Sequence, residues 1–151
     1  MKVYRLTRLK YAQDLTGYGA SLRSNSRWNS KGNSILYTAT SKALAFAEVI
    51  PHLSLRLIPM DYVMVSLLLP TVTRIVDAKL STSIRNSRLQ ETQRLGDEFL
   101  MSKFHFAMQV PSYVIPDENN LLINPSHPEM KNVLINDVQP FQFDDRFFTA
   151  L

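Results

Sequence analysis

SILYTATSKALAFAEVIP, residues 34–51, passes from an extended segment into a helix within a few positions. Ser34 to Tyr37 has the apolar, strand-favouring character of a short strand. Ser41 then stands where an N-cap belongs, and Ala43, Leu44, Ala47 and Ile50 follow at helical spacing. Pro51 disfavours helical geometry at Ile50, so the helix is expected to end or kink there. Glu48 therefore falls close to a helix C-terminus, where the macrodipole opposes a negative charge. A carboxylate on that apolar helix pairs with something, faces water or has chemical work to do.

Outward from this unit the pattern is mostly short strands. Val3 to Thr7 reads as a strand, and residues 14–34 carry three of the four glycines among Ser and Asn, as a long functional loop would. Tyr62 to Leu69 places Val63, Val65, Leu67 and Leu69 in strand alternation, and Arg74 to Asp77 extends the sheet after a turn at Pro70. Leu80 to Gln93 reads as an exposed helix, Gly96 as an interruption, and Asp97 to about Phe104 as a second helical stretch. Strands are expected at 106–110, 112–115, 120–123 and 133–138. Strands joined by loops, with few helices between, indicate an α+β fold: one compact domain over residues 1–151, its mixed or antiparallel central sheet flanked by helices.

Composition narrows the function. A chain of 151 residues with 45% hydrophobic content can bury a core of its own. Cysteine is absent, which excludes disulfides, thiol catalysis and thiolate metal sites, and makes a reducing cytoplasm the expected location. The N-terminus lacks a signal-peptide apolar core, and no apolar run approaches the ~20 residues that span a bilayer. The net charge of +4 is uneven: residues 1–32 carry +6 and residues 117–151 carry −4. A basic N-terminal region suits nucleic acid or a phosphorylated small molecule, or is merely a solvated surface.

Several motifs fail. Leu22 stands where a dinucleotide-binding glycine would follow Gly17-Tyr18-Gly19. Ser112 lacks the flanking glycines of a nucleophile elbow, and His52, His105 and His127 have no metal-ligand spacing. No metal is expected. What remains is one cation, one aromatic, one acid and a few short polar groups. The Arg27 fork suits a pyrophosphate or simply water. Tyr37 could stack on a nicotinamide or adenine ring, or serve as a core aromatic. Ser112 could hydrogen-bond a ligand or make a turn, and Asn124 and His127, beside Pro125 and Pro128, could shape a rigid turn. Trp28 reads as a packing anchor.

Taken together the ordered elements resemble the RES domain family, named for an arginine, a glutamate and a serine. They are Val3-Tyr4-Arg5-Leu6, Gly17-Tyr18-Gly19-Ala20, Arg27-Trp28-Asn29 with Gly32, Leu36-Tyr37-Thr38-Ala39, and Ala43-Leu44-Ala45 with Glu48. Val110-Pro111-Ser112, Asn120 to Pro125 with His127-Pro128, and Phe143-Asp144-Asp145-Arg146 complete the set. The resemblance implies a fold similar to ADP-ribosyltransferases and a bacterial toxin acting on NAD as substrate, paired with an Xre-like antitoxin. It assigns Glu48, Arg27 and Tyr37 as catalytic and Arg27, Tyr37, Ser112 and Asn124 as NAD-binding. The implied activity is cleavage of the nicotinamide–ribose bond by a glycohydrolase or phosphorylase. The alternatives are an ADP-ribosyltransferase acting on a protein of nucleotide metabolism, or a non-enzymatic nucleic-acid-binding module. For this chain alone neither a membrane nor a direct nucleic-acid partner is expected.

Overall fold

The computed structural model describes residues 1–71 and 74–149. The strand–helix unit forms as its sequence dictates. Leu36–Ala39 is strand β2 and Lys42–Val49 is helix α2 (α1 is the single turn Tyr18–Ser21), with the Ser41 hydroxyl accepting from the Leu44 amide at 3.0 Å. Pro51 converts the end of α2 into a single 3-10 turn, Ile50–His52. The remaining strands are β1 (Lys2–Arg8), β3 (Tyr62–Leu68), β4 (Ile75–Asp77), β5 (Ala107–Pro111), β6 (Asn119–Ile123) and β7 (Leu134–Pro140). They make one seven-stranded sheet in the order β4-β5-β6-β2-β1-β3-β7. Every pairing is antiparallel except β4 with β5, so the expected mixed sheet is the observed one.

Side-chain alternation divides the sheet into two faces. Val63, Val65, Leu67, Ala107, Leu121 and Ile123 build the core on one face. On the other, Leu6, Ala39 and Met64 pack under α2, while Met108, Val110 and Leu122 pack under Trp28 and helix α3, Leu89–Ser102. Two helices therefore share one face and leave a seam between them, above β2 and β6.

Three local expectations are corrected. The exposed helix expected over Leu80 to Gln93 forms only from Leu89 onward. Residues 83–87 are turns in which Ser87 Oγ donates to the Ser83 carbonyl, and α3 starts only at Leu89. Serines that bond nearby backbone compete with the helix ladder. Gly96 does not interrupt a helix but sits buried inside α3, because the Trp28 carbonyl crosses there; a Cβ on Gly96 would lie 1.6 Å from that oxygen. Residues 112–115 are not a strand: the Ser112 hydroxyl accepts from the amides of Val114 and Ile115 and folds the chain into a turn. The extension of the sheet expected over Arg74 to Asp77 forms as β4, which pairs with β5 at the far edge. The turn expected at Pro70 runs into residues 72–73, outside the described residues.

Candidate active site

The loop before β2 is held from three sides. Trp28 is buried in the α3 core, Asn29 is fully buried, and the Asn29 side-chain amide donates to the carbonyls of Ala20 and Asn33, each at 3.0 Å. From α3, Asp97 accepts from the Ser30 amide and the Asn33 side chain, and Gln93 donates to the carbonyls of Ser24 and Ser26. The third tie is Tyr37. Its hydroxyl donates to Asn29 Oδ1 at 2.7 Å and accepts from the Trp28 amide at 3.2 Å. Burial pushes this phenol well above the usual tyrosine range; Asp97 adds to the shift, and the Trp28 amide and Arg27 oppose it. Tyr37 thus stays a neutral donor and fixes the backbone next to Arg27. Tyr37→Phe is expected to orphan Asn29 Oδ1 and the Trp28 amide at a cost of about 1–3 kcal/mol, read as a fall in the thermal midpoint.

Glu48 projects from the last turn of α2 into the seam. Its Oε1 accepts two hydrogen bonds, from Ser112 Oγ and from Asn120 Nδ2, each at 2.6 Å. Among the described residues no lysine or arginine lies within ion-pair distance of it, and Oε2 has no hydrogen-bond partner. Two strong donors, one on β6 and one in the turn after β5, therefore offset the unfavourable helix end and leave one oxygen free. Ser112 is itself pinned, since its hydroxyl accepts from two backbone amides and so has its one proton left for Glu48.

Asn120 escapes sequence reasoning. Its partner in β2 is Ala39, and two positions on Tyr37 pairs with Leu122, so Asn120 and Tyr37 share the seam-facing side of the sheet. The amide orientation is forced, because the flipped form would set two acceptor oxygens 2.6 Å apart. The consequence is that Asn120 Oδ1 is buried without a partner. Such an orphan is destabilising by about 1–3 kcal/mol, a cost consistent with a role in holding Glu48. Asn120→Leu is therefore expected to keep or raise the thermal midpoint while lowering turnover roughly tenfold, a divergence that paired melting and activity assays would show.

Arg27 lies half-buried at the mouth of the seam, its guanidinium 4.3 Å from the centroid of the Tyr113 ring, next in sequence to Ser112. Arg27, Tyr37, Glu48 and Ser112 are thus linked through Tyr113, Trp28 and Asn120. Asn124 is not part of this group. It follows β6 about 13 Å along the strand from Asn120, and its side chain is used within its own turn, donating to the Leu100 carbonyl and accepting from the Ser126 amide. His127 likewise caps the 3-10 turn Pro128–Asn132 through Nδ1. A separate groove of about 360 Å³ between Ser30 and α3 is lined by none of Arg27, Tyr37, Glu48 and Ser112. Among the described residues no three His, Asp or Glu side chains cluster as metal ligands, and no helix is long and apolar enough to cross a membrane.

Comparison with known proteins assigns the family. The RES domain profile matches residues 2–144. The chain belongs to the RES domain family. This RES chain is 34% identical over 152 residues to a protein named Toxin Res from Yersinia enterocolitica, covering 97% of this chain and 99% of that one. It is 31% identical to a protein named Prs ADP-ribosylating toxin from Sphingobium sp. (strain YBL2), over 89% of this chain and 87% of its relative. Its fold matches the crystal structure of the M. tuberculosis MbcT–MbcA toxin–antitoxin complex with a TM-score of 0.73 at 15% identity, over 93% of this chain and 84% of that one. The expected α+β fold, with a mixed sheet flanked by helices, is the one observed and is shared with that structure.

Proposed function

We propose that this RES chain is the toxin of a toxin–antitoxin pair and breaks the nicotinamide–ribose bond of NAD. The observation that carries the proposal is the carboxylate of Glu48, held at one oxygen by Ser112 and Asn120 and free at the other among the described residues, in a seam whose mouth carries an arginine with no ion-pair partner among them. Nicotinamide leaves a cationic ring as a neutral molecule, taking the electrons of the C–N bond, so no strong general acid is needed. The demand falls on the oxocarbenium-like ribose, as in glycosidases. A fixed carboxylate stabilises that charge without reorganising, and counts for more where water is excluded. Glu48 supplies it, Ser112 and Asn120 hold its geometry, Arg27 takes the pyrophosphate, and the half-buried Tyr37 ring stacks on a substrate ring. The ribose is captured by water or by phosphate, with loss of a proton from the attacking group.

A second reading is transfer of ADP-ribose to a protein, favoured by the relative named as a Prs ADP-ribosylating toxin. One experiment separates the two. Purified chain is incubated with NAD labelled in the ADP-ribose half, in buffer, with phosphate, and with cell extract. Label in free ADP-ribose or its phosphate ester supports degradation, label on a protein band supports transfer, and unchanged NAD under all three conditions counts against both. The family neighbourhood also supports a protein antitoxin, which we propose to be Xre-like.

A further inference from the structure

We propose that Arg85, working with Tyr113, is a second phosphate-binding residue, so that two arginines grip the diphosphate of the substrate and fix the direction in which it lies. The inference rests on the NAD reading above. Arg85 comes from the turns before α3, far in sequence from Arg27. Yet both guanidiniums lie against one ring: Arg27 at 4.3 Å and Arg85 at 5.2 Å from the Tyr113 centroid. Their carbons are therefore no farther apart than about one Debye length, ~10 Å at 0.1 M salt, and repel one another.

Among the described residues no carboxylate pairs with either. Among the described residues the one hydrogen bond of the Arg85 guanidinium goes to the Val114 carbonyl at 3.4 Å, which leaves the rest of its donor fork open. Tyr113 is itself 40% exposed and follows directly on the serine that holds Glu48. Two like charges converging beside a catalytic carboxylate, with no internal counter-ion, form a site for a ligand bearing two negative charges in succession. A diphosphate has that form.

The same charges dictate polarity. The oxidised nicotinamide ring is a cation, so it is repelled from the Arg27–Tyr113–Arg85 end and attracted to Glu48. The diphosphate takes the arginine end. Substrates are therefore graded by phosphate count: a dinucleotide uses both arginines, a nicotinamide mononucleotide fewer contacts, and nicotinamide riboside none.

The test is calorimetric titration of the full chain with ADP-ribose, alongside kinetics with NAD and nicotinamide riboside, for wild type, Arg85→Ala, Arg85→Lys and Arg27→Ala. Arg85→Ala is expected to weaken ADP-ribose binding about tenfold, with Arg85→Lys intermediate. The loss for NAD should fall on KM more than on kcat, and the preference for NAD over the riboside should shrink. A general structural defect would instead lower the thermal midpoint and harm both substrates alike. If Arg85→Ala bound ADP-ribose like wild type while Arg27→Ala did not, Arg85 would have no part in the site. Wild-type chain that neither binds ADP-ribose nor consumes NAD would overturn the NAD reading itself, and this inference with it.

Discussion

Glu48→Gln is expected to lower NAD turnover about 10²–10³-fold while leaving the thermal midpoint and ADP-ribose affinity close to wild type. The geometry makes this substitution unusually clean. Ser112 and Asn120 both donate to the same oxygen, and the glutamine carbonyl can accept both bonds unchanged. The amide nitrogen then replaces the oxygen that has no protein partner. Shape and hydrogen bonding survive, and only the negative charge is lost. Removing that charge also relieves the unfavourable interaction with the α2 C-terminus, so no loss of stability is expected from the helix. A variant that folds, binds ADP-ribose and fails to release nicotinamide would place Glu48 in the chemical step. Turnover equal to wild type would remove it from that step.

The second large effect is expected at a crossing of two backbones. Gly96→Ala inserts a methyl group where α3 and the Trp28 backbone meet, 1.6 Å from the Trp28 carbonyl oxygen and 2.7 Å from its carbon. Nothing at this crossing is the flexible end of a side chain, so helix and loop must part. We expect a loss of about 3 kcal/mol, the upper end for overpacking, which in a domain of this size lowers the thermal midpoint by roughly 10 °C. The displaced segment is the one that carries Arg27, and the Tyr37 hydroxyl bonds to the Trp28 amide. Substrate affinity should therefore fall together with stability. Differential scanning calorimetry and ADP-ribose titration of the same preparation would show both losses, whereas an unchanged midpoint would mean that the α3–Trp28 contact is looser than the geometry indicates.

Gly96 also marks the limit of what the sequence discloses. Local propensity sees a glycine as a helix breaker, but the reason for this one is a backbone 68 positions away that no window contains. The strand–helix unit over 34–51 is legible because its signals are local: a capping serine, a helical period and a proline. The strand alternation of β3 is legible for the same reason. Residues 112–115 mislead because Val114 and Ile115 favour strands, whereas the Ser112 hydroxyl gathers their amides into a turn. The individual members of the candidate site, Arg27, Tyr37, Glu48 and Ser112, stand out by type and by the family pattern. What joins them does not. Asn120 reaches Glu48 only because β6 lies beside β2 in one register, and Tyr113 meets two arginines only after the 80–88 segment has folded over it. Asn124 belongs to the same quoted motif as Asn120 yet works in its own turn, a distinction set by strand length rather than residue type.

Release of nicotinamide tests the central claim most directly, because every acceptor for the ribose shares that first bond cleavage. Purified wild-type chain and Glu48→Gln would be given NAD with water, phosphate or cell extract as the source of acceptor, and free nicotinamide measured over time. The account predicts nicotinamide from the wild type in at least one mixture, with release about 10²–10³-fold slower from the variant. Equal release from both proteins, or none from folded wild type in any mixture, would contradict it.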